Sequence, residues 1–285
     1  MWKSFLQAHA VAFSVLALLA CGGKKPGPAR PPVEALDDGL KPASLAAELG
    51  KLGGGHVHGV ATFRVGLAGA GKPSDGSKPA SPEQVSTTTD VWVDRQGNFR
   101  ILEANDQDQG REIVRVGGEI GVALRYGKMI RRPAQDADSV RYLGEALGAP
   151  WAAWEIVRGQ VEVQGSESDF RLRLGARRAG PTAPPAEGLR KWRDSVVLKT
   201  LEGQASLGPD GLRSFACKAS YQATRDGAPI EGELAVSMAV EDAGKTAAVV
   251  FPPSEQLRTR QRTVVEERAL LGGVSASAAW GSKKN

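Results

Sequence analysis

The chain has 285 residues, of which 41% are hydrophobic and 24% charged, with 35 glycines and 3 histidines. That length allows one large domain or two small ones, and the apolar share is ordinary for a water-soluble body. The formal charge of +5 falls to about +4 without residues 1–20, whose one charged side chain is Lys3, and so modest a surplus argues against a nucleic-acid-binding face.

Met1 to Ala20 reads as an export signal, with Lys3 as a minimal positive start and a mostly apolar run from Phe5 onward that is short for a membrane span. Leu18-Leu19-Ala20-Cys21 resembles the bacterial lipobox, in which a small residue precedes the cut and the cysteine thiol accepts a diacylglycerol. Against an ordinary cleaved signal with a chance cysteine stands the position of Cys21, where the acylation chemistry needs it. Gly22 after the cysteine favours the outer membrane by the same resemblance. Residues 21–43 are rich in glycine, proline and charge and read as a flexible tether. Cys217 is then the one cysteine of the mature body, which excludes an internal disulfide.

The folded domain is expected over 44–272, with a disordered tail over 273–285. Leu45, Leu49 and Leu52 recur at helical spacing, capped by Ser44 and stopped by Gly53–Gly55. "HVHGVATFRVGL" alternates as a strand, with Val57, Ala61, Phe63, Val65 and Leu67 on one face and His56, His58, Thr62 and Arg64 on the other. After a Gly/Ser/Pro-rich loop, strands follow at "QVSTTTDVWVD" and "FRILEA", then two more around Gly117-Gly118. In the second of that pair, Ile120, Val122, Leu124, Tyr126 and Ile130 share a face. Val140, Leu143 and Leu147 form a helical stripe, and Pro150 starts a short helix carrying Trp151, Trp154 and Val157. "DFRLRLG" is a strand. Three long alternating segments then run from Ser195 to Glu241, divided at "GPDG" and "RDGAP". Phe215, Cys217, Ala219, Tyr221 and Ala223 face one way in the second, and Ile230, Leu234, Val236, Met238 and Val240 in the third. "TAAVVFPP" reads as an edge strand, and the stretch from Ser254 to Leu271 as a closing helix.

Short turns between consecutive strands mean antiparallel pairing. One apolar sheet face needs covering, and the helices are there to cover it. The expected class is α+β: a curved antiparallel sheet with helices packed in its concavity. The order of a leucine-spaced helix, "VATFRV", "GNFRI", "REIVRVGG", "VALRYGKMIRR", a helical interruption, "GLRSFACKASY" and "VVFPP" resembles the lipoprotein-localisation-factor family of envelope carriers and receptors. The resemblance covers roughly residues 44–253 and implies a half-open β-barrel whose apolar hollow holds acyl chains. Val122, Leu124, Phe215, Tyr221, Leu234 and Met238 would line such a hollow. The bland alternative is that the same side chains are simply core. The family's receptor branch carries a loop tipped with exposed apolar residues, for which the long loop 66–84 offers only Leu67.

Motifs for chemistry are incomplete. "GLAGAGKP" has Gly66, Gly71 and Lys72 of a phosphate-binding loop, but Pro73 replaces the hydroxyl residue and the helix that should follow is missing. His56 and His58 share a strand face as a metal pair would, yet a third ligand is needed. Cys217 with either histidine has the composition of a nucleophile and base, without sequence context. "RTRQR" at 258–262 is a basic patch that suits anionic headgroups or plain solvent. The sequence therefore reads as a non-enzymatic lipoprotein without cofactor or metal. It is anchored in membrane lipid through acylated Cys21 at the periplasmic face of the outer membrane, and binds a lipid or lipidated partner. The alternative is an envelope assembly component that binds another protein through its surface.

Overall fold

The computed structural model describes residues 31–67, 83–166, 168–176, 193–208, 211–245 and 247–258. The export signal, Cys21, the Lys72 loop and the tail lie outside these residues. The described elements belong to the unit that starts at Pro32.

Two helices open it, α1 (Pro32–Gly39) and α2 (Pro42–Lys51). The first falls inside the stretch read as a tether, so the folded body starts about twelve residues earlier than the sequence suggested. Pro32 sits at the first helical position, where its missing N–H costs nothing. Leu36 and Leu40, four apart, are both fully buried. Ser44 is not the cap of α2: that helix starts at Pro42, with Lys41 before it and no side-chain cap.

Six strands follow: β1 (Gly55–Leu67), β2 (Glu83–Val93), β3 (Phe99–Asn105), β4 (Gly110–Val116), β5 (Glu119–Leu124) and β6 (Met129–Pro133). Helices α3 (Asp136–Ala146) and α4 (Gly148–Val157) come next. Then come β7 (Val161–Ser166), β8 (Asp169–Leu174), β9 (Val197–Gly208), β10 (Gly211–Arg225) and β11 (Ala228–Glu241), with a two-residue β12 (Leu257–Arg258). The 12 strands form one sheet in the order β12-β6-β5-β4-β3-β2-β1-β11-β10-β9-β8-β7. Two meanders are thus joined where β1 pairs with β11, and every pairing is antiparallel except β12 with β6. The end strands β12 and β7 do not pair, so the curved sheet is unclosed.

Tight turns obey the local code. Asp226 (φ 51°) and Gly227 (φ 81°) form the two-residue loop between the paired Arg225 and Ala228. The sequence pattern predicts two strands between Arg111 and Arg132; the structure has three, because the chain reverses after Leu124 with Tyr126 at φ 66°. β7 is a strand beyond those the sequence pattern predicts. The expected edge strand has no regular structure over 247–253, and the expected closing helix does not start at Ser254: 254–256 is a single helical turn leading into β12, and 259–271 lie outside the described residues.

Topology constrains curvature. The α3–α4 connection runs from β6, next to one edge, to β7, the other edge. On a flat sheet those strands would stand roughly 48 Å apart, at about 4.8 Å per step. The two helices laid end to end reach about 32 Å and the short segments flanking them add roughly 15 Å, so only a fully straightened connection would bridge a flat sheet, whereas α3 and α4 pack into the core.

Polar ties hold the helices. Trp154 Nε1 donates to Asp37 Oδ1 at 2.6 Å and Arg158 to Asp37 Oδ2 at 2.8 Å, joining α4 to α1. Arg132 pairs bidentately with Asp138 at 2.7 and 2.8 Å, fixing the start of α3 to β6. Arg111 on β4, fully buried, is held by Glu103 on β3 and by Glu145 of α3. No helix among the described residues is long and apolar enough to cross a membrane.

Candidate functional site

The sheet has two differently furnished faces. On the first, the alternating strand residues and the helices form one buried cluster. Leu36, Leu45, Leu49, Tyr142 and Trp154 from the helices belong to it together with Phe63, Ile101, Val122, Phe215 and Leu234 from the strands. Five of the six residues expected to line a hollow, Val122, Phe215, Tyr221, Leu234 and Met238, lie in this cluster and are buried. Leu124 does not: it is 51% exposed, because β5 ends there and the chain turns. Val140, expected on the apolar stripe of α3, is 75% exposed, and Tyr142 takes the buried position instead. A cleft of about 20 Å³, room for a single water, lies between β1 and the α3–α4 elbow, beside Gly59, Ala61, Ala146 and Leu147. Ligand pockets are typically more than ten times larger.

Packing on this face is tight enough to dictate residue type. Tyr221 lies across Gly232, its cross-strand partner on β11, and a Cβ at Gly232 would collide with the phenol ring. Burial opposes ionisation of Tyr221 and outweighs the pull of Arg225, so the phenol is held neutral. Burial likewise pushes the Cys217 thiol up to about 12. Such a thiol is protonated at neutral pH and is a poor nucleophile.

The opposite face carries the histidines. His56 Nε2 and His58 Nδ1 both contact Asp90 Oδ1, each at 2.9 Å. His56 Nδ1 stands 3.3 Å from Glu241 Oε2, and the ring is stacked on Trp92 with centroids 4.8 Å apart and planes 1° apart. Arg100 lies 5.6 Å from the Trp92 ring and donates to Glu112 at 2.8 Å. The register explains the convergence: β1 sets His56 opposite Trp92 and Glu241, and His58 opposite Asp90. Alternation in the sequence placed His56 and His58 on one face. It could not supply Asp90 and Glu241, because register between strands leaves no local mark. Among the described residues no three His, Cys, Asp or Glu side chains are grouped to hold a metal ion. Cys217 and the two histidines sit on opposite faces of the sheet, so the Cys–His pairing does not form.

A second, smaller apolar cluster lies on this outer face, where Val114, Ala123 and Met129 are covered by Val249, Phe251 and Leu257. Residues 247–258 act as a strap across it. Asp94 Oδ2 accepts the Val249 N–H at 3.1 Å, and Arg131 stands 4.7 Å from the Phe251 ring. Of "RTRQR", only Arg258 is described, at the end of this strap.

These features define an open-sheet α+β protein with a filled apolar face and a polar outer face. No family model matches the chain, and no curated protein matches it. Among solved structures it is similar to a DUF1329 family protein from Desulfovibrio piger, at 10% identity and a TM-score of 0.23, covering 73% of this chain and 97% of that one. It is also similar to one chain in the structure of the Pseudomonas aeruginosa MucA/MucB complex, at 12% identity and a TM-score of 0.19, covering 76% of this chain and 99% of that one. Likeness at this level carries no functional argument.

Proposed function

We propose that this protein is a non-enzymatic lipoprotein of the bacterial outer membrane, anchored through acylated Cys21, that works by binding a protein partner on its surface. The carrying observation is that the sheet's apolar face is occupied by the protein's own helices, with Leu36, Leu45, Tyr142 and Trp154 packed where an acyl chain would lie. Opening that layer exposes apolar area at a cost of about 25 cal/mol per Å², which a lipid tail must then offset. The buried Cys217 thiol and its separation from the histidines support a role without covalent catalysis. Sequence supports the anchor: Ala20-Cys21 at the end of an apolar leader, followed by about ten residues of spacer before Pro32.

The test has two arms, both on the full-length chain extracted in mild detergent. Metabolic labelling with an alkynyl fatty acid should tag the wild type and leave Cys21→Ser untagged. Native mass spectrometry should then show no apolar ligand beyond the anchor, while a photo-crosslinker at the exposed Tyr126 or Leu102 gives a discrete protein adduct in cells. A stoichiometric co-purified acyl ligand would overturn the surface reading. The second reading, a lipid taken beneath the α3–α4 elbow, is favoured by the small cleft beside Gly59. It predicts saturable binding of a fluorescent fatty acid that a Gly59→Leu substitution abolishes.

A further inference from the structure

We infer that the open edge of the sheet at β7 is a strand-addition site for an extended segment of a partner protein, one that carries lysine or arginine opposite Glu162 and an apolar residue opposite Val163. The site rests on the surface-binding reading proposed above, and gives that partner a place and a chemistry. The two ends of the sheet differ. At β6 the chain adds a strand of its own: β12 pairs there, Leu257 with Met129 and Arg258 with Ile130. At β7 the sheet ends, and among the described residues no strand lies beyond it. Val161–Ser166 contains neither proline nor lysine, two residue types that commonly block such edges.

The ladder fixes which backbone groups face outward. Gly175 N–H donates to the Gln160 carbonyl at 2.8 Å, and the next pair is Val161 with Leu174. Antiparallel pairs alternate between bonded and non-bonded. Glu162 and Gln164 therefore bond to Arg173 and Arg171 of β8, while Val163 and Gly165 turn their N–H and C=O away from the sheet. The far side of β8 obeys the same count. Leu207 N–H donates to the Ser168 carbonyl at 2.6 Å, so the even residues of β8 serve β9 and the odd ones serve β7. Leu36 and Leu40 of α1 belong to the inner cluster, and Glu162, Gln164 and Gly165 are left exposed.

Side chains set the partner's chemistry. On the outer face one cross-strand row runs from Lys218 on β10 through Glu202 on β9 and Arg173 on β8 to Glu162 on β7. All four are exposed. Their charges alternate in sign, and the row stops on a carboxylate at the open edge. Opposite charges directly across strands attract and like charges repel, so the next strand out continues the row with a cation. On the inner face, Val163 is half-buried against the core and stands opposite buried Leu172. An apolar side chain beyond Val163 extends that surface. Backbone bonds then supply affinity, and the alternating side chains supply selection. A second copy of this chain fits less well: antiparallel self-pairing centred on Val163 sets Glu162 against the copy's Gln164 and leaves the row without its cation.

The experiment uses the full-length chain in non-ionic detergent and two labelled synthetic peptides, one alternating lysine with valine and the other glutamate with valine. Fluorescence anisotropy should show saturable binding of the lysine peptide, about tenfold tighter than the glutamate peptide. The protein's own formal charge of +5 works against diffuse attraction of a cationic probe. Glu162→Lys should reverse the preference. Val163→Pro, which removes an outward N–H and no bond to β8, should abolish binding of both peptides. Where Val163→Pro does not fold, the exposed Glu162→Lys decides. No binding of the lysine peptide, or a preference that Glu162→Lys leaves unchanged, overturns the site. A dimer in solution that Val163→Pro separates gives the edge to a second copy and also overturns it. In cells, a photo-crosslinker at Gln164 should give a protein adduct that Glu162→Lys diminishes. Adducts from Tyr126 or Leu102 with none from Gln164 overturn the edge site and leave the surface-binding reading standing, whereas no adduct from any of the three removes both.

Discussion

Replacing Leu36 with alanine tests whether the folded body starts at α1. Leu36 is fully buried in the main cluster, with Leu40 one turn further on and Leu45 and Leu49 from α2 beside them. Deleting a buried leucine side chain down to alanine removes the transfer energy of the lost carbons and leaves a cavity, together about 2.7–5 kcal/mol. In a body of this size each kcal/mol lowers the melting temperature by about 2–4 °C. Leu36→Ala should therefore lower it by roughly 5–20 °C, read by circular dichroism on the full-length chain. Val140→Ala is the control. The sequence placed Val140 on an apolar stripe, but it is 75% exposed, and its removal should change stability by no more than about 0.5 kcal/mol. A shift under 1 °C for Leu36→Ala would mean that α1 belongs to the tether after all. A large loss for Val140→Ala would mean that α3 is rotated from the orientation described.

Four further outcomes follow from the same packing. Arg111→Met should destabilise by about 3–5 kcal/mol by leaving buried Glu103 unpaired, and adding Glu103→Leu should recover most of that, measured by urea midpoints. Gly232→Ala should cost about 1–3 kcal/mol through collision with the Tyr221 ring, and the loss should shrink when Tyr221 is also replaced by leucine. Burial opposes ionisation of Asp138, but hydrogen bonds from Arg132 and the Gln135 N–H, with the charges of Arg132 and Arg141, hold its carboxyl below the ordinary range. Its contribution is then present above the unfolded carboxylate value and lost as pH falls through the lower folded one. The stability gap between wild type and Asp138→Asn should hold from pH 8 to 5 and close below about pH 4, followed by chemical denaturation. Finally, the peptide containing Cys217 should stay unmodified by iodoacetamide at pH 8 in the native protein and react fully in urea, read by mass spectrometry.

The strands β1, β2, β3, β9, β10 and β11 were legible because each has one wet and one dry face, and period-two alternation records that directly. Two turns were legible too, since Asp226-Gly227 between β10 and β11 and Gly117-Gly118 between β4 and β5 supply the backbone conformations a two-residue loop needs. α1 was hidden because proline-rich flanks resemble a tether, and its two leucines show their purpose only once α2 and α4 close over them. Leu124 and Tyr126 continued an alternating pattern beyond the point where the strand ends, and a pattern of hydrophobicity does not mark that reversal when the turn residues are Arg125 and Tyr126. The candidate site shows the same division. The sequence put His56 and His58 on the polar face of one strand, but their acid partners come from β2 and β11.

By itself, the sequence determined the antiparallel class and which side of each long strand meets water. Both are written in neighbouring residues. Tertiary structure alone decided that β1 joins the two meanders by pairing with β11, and that the apolar face is filled by the protein's own helices. It also decided that Asp90 and Glu241 meet His56. Those outcomes depend on register and packing between segments far apart in the chain, where the competing arrangements have equally good local patterns and differ only in how well their surfaces fit.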